Sequence, residues 1–296
     1  MAVTLRIFHR TVYRYDRPVT FGPHRMMVRP RDGHDLWVLD ASLLIVPTAD
    51  LHWRFDTFGN SIALATFSDP SEILVIENNL LIERYPREAA AFPPDHRPTP
   101  FPFTYDSDDQ IDLSPLMALQ NPQDLPVLQQ WLDSVFGYRP SEALAFLRTL
   151  SDAINRSFAY SWRDQLGTQS AAATIESGQG TCRDLAFLFM EAARSFGFAA
   201  RFVTGYLHDP AGGEGLTGGG ATHAWAEIFI PSEGWVEFDP TNCIVGGGAL
   251  IKVAATRTPS QASPITGSFK GGGAKFLDMD VSVTVAEEPP QTDSDR

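Results

Sequence analysis

The sequence has few cysteines and no long apolar run. Only Cys182 and Cys243 are cysteines among its 296 residues, which is too few for a disulfide framework or a cysteine-based zinc site. No stretch approaches the 18 consecutive apolar residues that suggest a membrane span. Residues 1–7 lack the basic and apolar segments of a signal peptide. These absences favour a cytoplasmic protein, in a reducing compartment where a thiol stays available for chemistry.

Positive charge is also scarce. Acidic residues outnumber basic ones, and the formal net charge is −13 at pH 7. This balance argues against nucleic acid and anionic membranes as partners, since both bind basic surfaces. The glycine-rich stretch 212–220 lacks the Gly-Lys-Ser/Thr that completes a phosphate-binding loop. The acidic run 106–109 lacks the glycine and the closing glutamate of a calcium loop, and is better interpreted as a solvated turn. We therefore expect no cofactor, no metal, no nucleic acid and no membrane contact.

Hydrophobic residues make up 43% of the chain and charged residues 20%, a composition typical of a globular protein with a sizeable core. Residues 1–90 predict an all-β, sandwich-like domain, because short runs of β-forming residues alternate with turns and no helical period is visible. A turn at Phe58-Gly59-Asn60 predicts a hairpin there. The histidines of this part are scattered, as ordinary polar residues are: His9, His24, His34 and His52.

Residues 91–124 form a proline-rich connector. Residues 125–286 predict an α+β domain. It begins with two amphipathic helices, over about 125–136 and from about 141, and includes two short carboxy-terminal strands around Gly271-Gly272-Gly273. Residues 287–296 are polar and predict a disordered tail.

The central motif of this domain is Gly180-Thr181-Cys182-Arg183-Asp184. An apolar helical period follows it, at residues 185, 188, 189, 192, 193 and 196, and Gly197 marks the helix end. Thr181 suits the N-cap, and Asp184 can reach back as in a capping box. Cys182 then opens the helix, where free N–H groups and the helix dipole favour a thiolate. The plainer interpretation is a small buried residue, as most free cysteines are.

A β-hairpin follows the glycine-rich stretch. Its strands are 222–230 and 235–240, joined by a turn near Pro231. If the hairpin is centred on Pro231, His223 and Asp239 stand opposite each other on one face. A one-residue register change would place them on opposite faces.

Cys182, His223 and Asp239 together have the chemistry of a nucleophile, a base and an orienting carboxylate. The backbone N–H of Cys182 would also suit an oxyanion. Each residue has an alternative role: His223 can be an ordinary strand-end residue, and Asp239 a turn initiator before Pro240. Glu227 and Glu237 are rival carboxylates, and His208 is a rival base. Cys243 is expected to be a buried structural thiol.

Four blocks resemble the core of the bacterial transglutaminase-like superfamily: 180–186, 200–207, 222–227 and 234–242. The segments 9–19, 29–31 and 56–60 resemble the β-rich domain that precedes this core. The resemblance implies an α+β core of the papain-like type, with helices packed on an antiparallel sheet. It also implies that Cys182 is the nucleophile, His223 the base and Asp239 the orienting carboxylate. Thr256-Arg257-Thr258 departs from the Gly-Arg-Asp that members often carry.

The resemblance implies thiol-dependent acyl transfer on a protein or peptide substrate. Hydrolysis of a peptide or amide bond is our preferred reaction, because an amine acceptor needs a site of its own. The alternatives are transglutaminase-type amine transfer to glutamine side chains, and a non-catalytic peptide-binding module that keeps the fold.

Overall fold

The computed structural model of the protein describes residues 2–85, 97–137, 139–163, 167–209 and 215–288. Six strands come first: β1 (Val3–Phe21), β2 (His24–Met26), β3 (Leu36–Val46), β4 (Ala49–Phe55), β5 (Ser61–Phe67) and β6 (Ser71–Arg84). Helices dominate the next part: α1 (Ser107–Met117), α2 (Leu125–Val135), α3 (Ala143–Ser157), β7 (Ala159–Tyr160), α4 (Ala171–Ser177), β8 (Gln179–Gly180) and α5 (Cys182–Ser195). The remaining strands are β9 (Ala199–Leu207), β10 (His223–Ile230), β11 (Gly234–Asp239), β12 (Ile244–Val245), β13 (Leu250–Thr256), β14 (Ile265–Thr266), β15 (Phe269–Lys270) and β16 (Phe276–Glu287).

Two antiparallel sheets form the amino-terminal part, as the sequence predicted. One places β1 between β6 and β16, with β3 beyond β6, and the other has the order β14-β2-β5-β4. Alternate residues of β1, such as Leu5 and Ile7, are fully buried, which is the two-residue period of a half-buried strand. The predicted hairpin joins β4 and β5. Its Gly59 has a φ of 76°, a left-handed conformation that glycine adopts without steric cost.

The carboxy-terminal strands pair with strands of the amino-terminal sheets, whereas the sequence analysis grouped them with the α+β domain. β16 runs antiparallel to β1 over almost its whole length, from Leu5 opposite Glu287 to Tyr15 opposite Phe276. β14 pairs with β2, and β15 pairs with the end of β1. The alternating pattern of β16 predicts a strand but not its neighbour. The predicted tail begins at the last residue of β16, and residues 289–296 lie outside the described residues, as does the predicted domain boundary at residue 90.

The second half has the predicted α+β arrangement, in which α5 packs on the antiparallel sheet β12-β11-β10-β9-β13. Ala224, Ala226 and Ile228 alternate along β10 and are buried in the same cluster as the apolar residues of α5. Small side chains at the first two positions let the helix lie close to the sheet. Because twelve of the fourteen residues of α5 are buried, this helix is the centre of the domain and its first residue has a fixed position.

Two helices were not predicted. α1 lies within the proline-rich stretch, and its N-cap Asp106 accepts hydrogen bonds from the backbone N–H groups of Asp108 and Asp109. The acidic run is therefore a helix cap rather than the solvated turn that was expected. α4 follows Ser170, whose side chain accepts from the N–H of Ala173. Its seven residues are too few for a helical period to be recognised.

Side-chain hydrogen bonds join the amino-terminal sheets to the core sheet. Asn60, just after the β4–β5 turn, donates to the carbonyl of Ala255 at 2.8 Å and accepts from the Ala255 N–H at 2.9 Å. The Tyr206 hydroxyl on β9 donates to the Val28 carbonyl at 3.1 Å and lies 3.1 Å from Nδ1 of His9. Burial lowers the pKa of His9 to about 4, so this histidine is neutral inside the junction. Among the described helices, none is long and apolar enough to cross a bilayer.

Candidate active site

Cys182 is the first residue of α5, as the capping pattern predicted. Thr181 is the N-cap, and the Asp184 carboxylate accepts from both its N–H and its hydroxyl at 2.9 Å. The first N–H groups of a helix have no intrahelical partner, so they face outward at this end. Cys182 is 8% exposed. A nearly buried thiol at a helix start is thus held beside unsatisfied backbone donors.

Asp184 is fully buried and binds a second segment of the chain. The Arg163 guanidinium donates to both of its oxygens, at 3.0 and 2.7 Å, and the N–H of Gln169 donates at 2.7 Å. Burial alone would raise the pKa of Asp184, but the hydrogen bonds from Arg163, Gln169 and Thr181 lower it overall. The carboxylate therefore stays charged and fixes the turn that carries Cys182.

His223 begins β10, and Asp239 ends the neighbouring strand β11. Nε2 of His223 lies 2.8 Å from Oδ2 of Asp239, and both side chains are fully buried. The hairpin is centred on Ser232 rather than Pro231, because Ile230 pairs with Gly234 and Ala226 with Phe238. The expected partner of His223 is therefore displaced by two residues. A two-residue displacement keeps both side chains on one face, so they still meet diagonally.

Among the described residues, the other side-chain hydrogen bonds of Asp239 are to neighbours in sequence. Oδ1 accepts from the Thr241 N–H at 2.9 Å, and Oδ2 also accepts from Nδ2 of Asn242 at 2.8 Å. The side chain of Asn155 on α3 holds the same turn through the carbonyls of Pro240 and Thr241, at 3.1 and 2.9 Å. Three donors therefore fix the orientation of this carboxylate.

The imidazole of His223 is held in its charged form. Burial lowers its pKa, but the Asp239 carboxylate and the Cys182 side chain outweigh burial and raise the pKa of His223 to about 10. The other ring nitrogen, Nδ1, is buried and has no hydrogen-bond partner among the described residues. The ring of Trp225 lies nearly parallel to the imidazole, with centroids 6.2 Å apart. The charged His223 ring thus has Asp239 on one nitrogen and a donor position without a described hydrogen-bond partner on the other.

A glycine-rich loop, residues 215–221, covers that open position. Gly218 has a φ of 91°, and a Cβ added to it would lie 2.8 Å from Nδ1 of His223 and 3.9 Å from the Tyr160 hydroxyl. Tyr160 lies on β7, which pairs with β8 just before Cys182. Burial and the nearby Cys182 raise the pKa of Tyr160, so its hydroxyl stays protonated next to the thiol.

The rival residues lie elsewhere. Glu227 is buried between Arg201 and Lys252, whose charges lower its pKa against the effect of burial. Glu237 pairs with Glu227 across the hairpin, and burial together with that neighbouring charge raises its pKa to about 7. His208 lies 3.4 Å from Glu287 of β16. None of these three carries a described contact with Cys182 or His223.

Two other expectations can be compared with the structure. Cys243 is exposed, not buried as expected, and has a φ of 55°, because it lies in the turn after β11 where the chain reverses. The backbone carbonyl of Arg257, at the departure from the family pattern, accepts from Arg194 at the end of α5 at 2.8 Å. Arg257 thus serves the packing of α5 at the end away from Cys182. Within the described residues, no three histidine, cysteine or acidic side chains converge on a metal-sized site.

Comparison with known proteins agrees with this architecture. Residues 5–83 match the Bacterial transglutaminase-like N-terminal region, and residues 132–240, which contain Cys182, His223 and Asp239, match the Transglutaminase-like superfamily. The chain belongs to the bacterial transglutaminase-like superfamily, with the β-rich domain of that group ahead of its core.

Some of its relatives cover most of the chain and others only part of it. Uncharacterised proteins of Mycobacterium tuberculosis and Mycobacterium bovis are 28% identical over 304 residues, which span 95% of this chain and 91% of theirs. A protein of Mycobacterium leprae is 36% identical over 107 residues, 36% of this chain and 38% of its own length. The crystal structure of a candidate cysteine protease from Cytophaga hutchinsonii has a TM-score of 0.74 at 18% identity, covering 99% of this chain and 93% of that one. At such identity the structural likeness shows the fold alone.

Sequence reasoning missed three residues at this site. Asn242 stands in the block 234–242, and Tyr160 precedes the central motif, but the roles of both residues depend on the fold. Gly218 stands in the glycine-rich stretch, which was interpreted only as flexibility. The signal for Asn242 was its place two residues after Asp239-Pro240, where an asparagine can turn back to the preceding carboxylate.

Proposed function

We propose that the protein catalyses thiol-dependent acyl transfer, and that its reaction is the hydrolysis of a peptide or amide bond. Cys182 is the nucleophile, His223 the base and Asp239 the orienting carboxylate. The observation that carries the proposal is the 2.8 Å contact between Nε2 of His223 and Oδ2 of Asp239, which leaves Nδ1 for the thiol. A buried His–carboxylate pair that shares its environment with a helix-start cysteine has the three roles of nucleophilic catalysis.

The reaction proceeds in two balanced steps. In the first, the thiol proton already lies on Nδ1 of His223, and Sγ of the Cys182 thiolate bonds to the carbonyl carbon. The carbon–nitrogen bond then breaks, and the imidazolium gives its proton to the leaving amine. In the second, His223 takes a proton from water, the hydroxide attacks the thioester, and the carbon–sulfur bond breaks, so that a carboxylic acid leaves and the thiolate–imidazolium pair is restored. The N–H groups at the start of α5 stabilise the oxyanion in both steps.

Asp239 favours this chemistry through the charge that it places beside the imidazole. Because Asp239 and Cys182 together raise the pKa of His223 to about 10, an imidazolium at neutral pH is stabilised beside the thiolate. A protein or peptide is the expected partner, as the chemistry requires an acyl group on nitrogen.

Product analysis in ¹⁸O-labelled water tests the reaction. The full-length protein is incubated with peptide mixtures and glutamine peptides, with and without a primary amine, next to Cys182→Ala as the matched control. We expect new carboxylates that carry one ¹⁸O in the wild type and none in the variant. If amine conjugates formed much faster than acids, the reaction would be amine transfer and not hydrolysis. The absence of any Cys182-dependent product would leave a peptide-binding role.

We also infer a cytoplasmic, reducing compartment. Both cysteines of the protein are free, and a thiol nucleophile persists where cellular reductants keep it reduced. Fractionation of the native host followed by thiol labelling is expected to find the protein in the cytoplasm with Cys182 reduced. Recovery outside the cytoplasmic membrane would contradict this assignment.

A further inference from the structure

Asn242 connects two parts of the candidate site that are 25 residues apart in sequence. Its Nδ2 donates to Oδ2 of Asp239 at 2.8 Å and to the Thr217 carbonyl at 3.1 Å, and its Oδ1 accepts from the Thr217 N–H at 2.7 Å. One amide side chain therefore uses both of its donors and its acceptor. Two of these hydrogen bonds are to loop 215–221, and the third is to the carboxylate that contacts His223.

Loop 215–221 has a direct effect on the imidazole. Gly218 lies against Nδ1 of His223, so closely that a Cβ there would be 2.8 Å from that nitrogen. The far end of the loop is held as well, because the N–H of Val283 donates to the Gly220 carbonyl at 2.9 Å. With the loop in place, His223 is only 1% exposed. The position of the loop thus sets how the Nδ1 side of the ring is shielded from water.

On the opposite side of the His223 ring, the contact with Asp239 fixes the position of Nε2. Oδ2 of Asp239 is shared by His223 and Asn242, while Oδ1 accepts from Thr241. Without Asn242, the carboxylate keeps one hydrogen bond among the described residues besides that of the histidine, so its rotation about χ2 is less restricted. A rotated Oδ2 would pull Nε2 with it and turn Nδ1 away from the thiol. Hydrogen bonds to a charged group are stronger than those between neutral groups. The hydrogen bond from Asn242 therefore restrains the Asp239 carboxylate strongly.

We propose that Asn242 is a positioning residue for the proposed acyl transfer, on which this inference rests: it ties loop 215–221 to Asp239 and so keeps the His223 ring aligned between carboxylate and thiol. Asn242 does not touch the thiol, and it acts through Asp239 and the loop. Its loss would misalign the base without removing any of the three reacting groups.

The chain provides a matched control in Asn155. Its Nδ2 also makes two hydrogen bonds to the turn after β11, but to the carbonyls of Pro240 and Thr241. Asn155→Ala therefore removes a comparable contribution to the stability of that turn without deleting a hydrogen bond of the Asp239 carboxylate or of the loop. Asn242→Asp provides a second comparison, because an aspartate can still accept from the Thr217 N–H but cannot donate to Asp239.

The test measures the rate constant for alkylation of Cys182 by iodoacetamide at pH 6 and at pH 9.5. The ratio of the two rates reports the thiolate–imidazolium pair, since at pH 9.5 even an unperturbed thiol is mostly ionised and gains little from the imidazolium. Because hydrogen bonds to charged groups are involved, we expect the ratio to fall about tenfold or more in Asn242→Ala and Asn242→Asp. Asn155→Ala is expected to keep the wild-type ratio. Amide exchange at Thr217 should accelerate in Asn242→Ala and stay slow in Asn242→Asp.

An unchanged ratio in both Asn242 variants, or an equal fall in Asn155→Ala, would overturn the positioning role. A wild type that lacks reactivity at pH 6 would instead contradict the proposed function itself. Because each ratio comes from one protein sample, a modest loss of stability leaves it unaffected, and thermal unfolding of each variant checks that point.

Discussion

His223 and Asp239 make a 2.8 Å contact between Nε2 and Oδ2 although they are not directly opposite on their hairpin. The strand pairing places Asp239 two positions away from the residue directly opposite His223. The long imidazole bridges that diagonal, because both side chains point to the same face. The pair is buried, and the pKa of His223 is raised to about 10 by Asp239 and Cys182 against the effect of burial.

This contact predicts how stability depends on pH. A histidine whose pKa is raised on folding contributes stability that is complete below its unfolded pKa of about 6.5 and disappears as pH rises to the folded pKa. Asp239→Asn removes the charge that raises this pKa. We expect it to lower the free energy of unfolding by about 3 kcal/mol at pH 6, and by progressively less as pH rises to 10.

Urea denaturation of the wild type and of Asp239→Asn at pH 6, 8 and 10 measures this difference. Asp50→Asn is the control, because Asp50 is an exposed residue of β4. The interpretation fails if the difference between the wild type and Asp239→Asn is the same at all three pH values.

The loop over His223 predicts a contrast between two glycines. Gly218 and Gly220 both have a left-handed φ, of 91° and 81°, so alanine costs a similar backbone strain at each. Only at Gly218 would the new methyl group meet Nδ1 of His223, whereas at Gly220 it would meet no atom within 4 Å. We expect Gly218→Ala to slow alkylation of Cys182 at pH 6 about tenfold relative to Gly220→Ala, a difference of ~1.4 kcal/mol. Equal rates in the two variants would show that the loop does not constrain the imidazole.

The junction between the two halves predicts a specific loss of stability. Asn60 makes two hydrogen bonds to the backbone of Ala255, and the side chain is buried. Its removal leaves both backbone groups unsatisfied, so Asn60→Ala should cost about 2 kcal/mol or more of unfolding free energy. Asn79 of β6 is half-buried, and Asn79→Ala provides the control. Urea denaturation measures both variants. If Asn60→Ala lowered the free energy of unfolding by less than Asn79→Ala, the junction would depend on other contacts.

Much of the fold follows from patterns within single segments. The strands of residues 1–90, the turn at Gly59 and the capped helix that begins at Cys182 each depend on neighbouring residues, and the sequence predicted them. The pairing of β16 with β1 joins residues more than 250 positions apart, and alternation does not specify a partner strand. The short helix α4, and α1 with its internal Pro115, were missed because neither shows a clear apolar period.

The candidate site was predictable in its residue types but not in its geometry. Cys182, His223 and Asp239 stood out because their chemistry is complementary and because the four sequence blocks resemble a known core. The true centre of the hairpin depends on the turn at Pro231–Gly234, whose conformation the sequence left open. The Asn242 contacts depend on loop 215–221 folding back over the site, which no local pattern indicates.

The most direct test of the account is the reactivity of Cys182 at pH 6 in the wild type and in His223→Ala. Mass spectrometry after iodoacetamide treatment identifies which cysteine is alkylated, with the exposed Cys243 as an internal reference in the same sample. We predict that Cys182 reacts faster than Cys243 at pH 6 in the wild type, despite its burial, and that His223→Ala abolishes this advantage. A wild-type Cys182 that reacts no faster than Cys243 at pH 6, or one whose rate is unchanged by His223→Ala, would contradict the assignment of Cys182 and His223 as nucleophile and base.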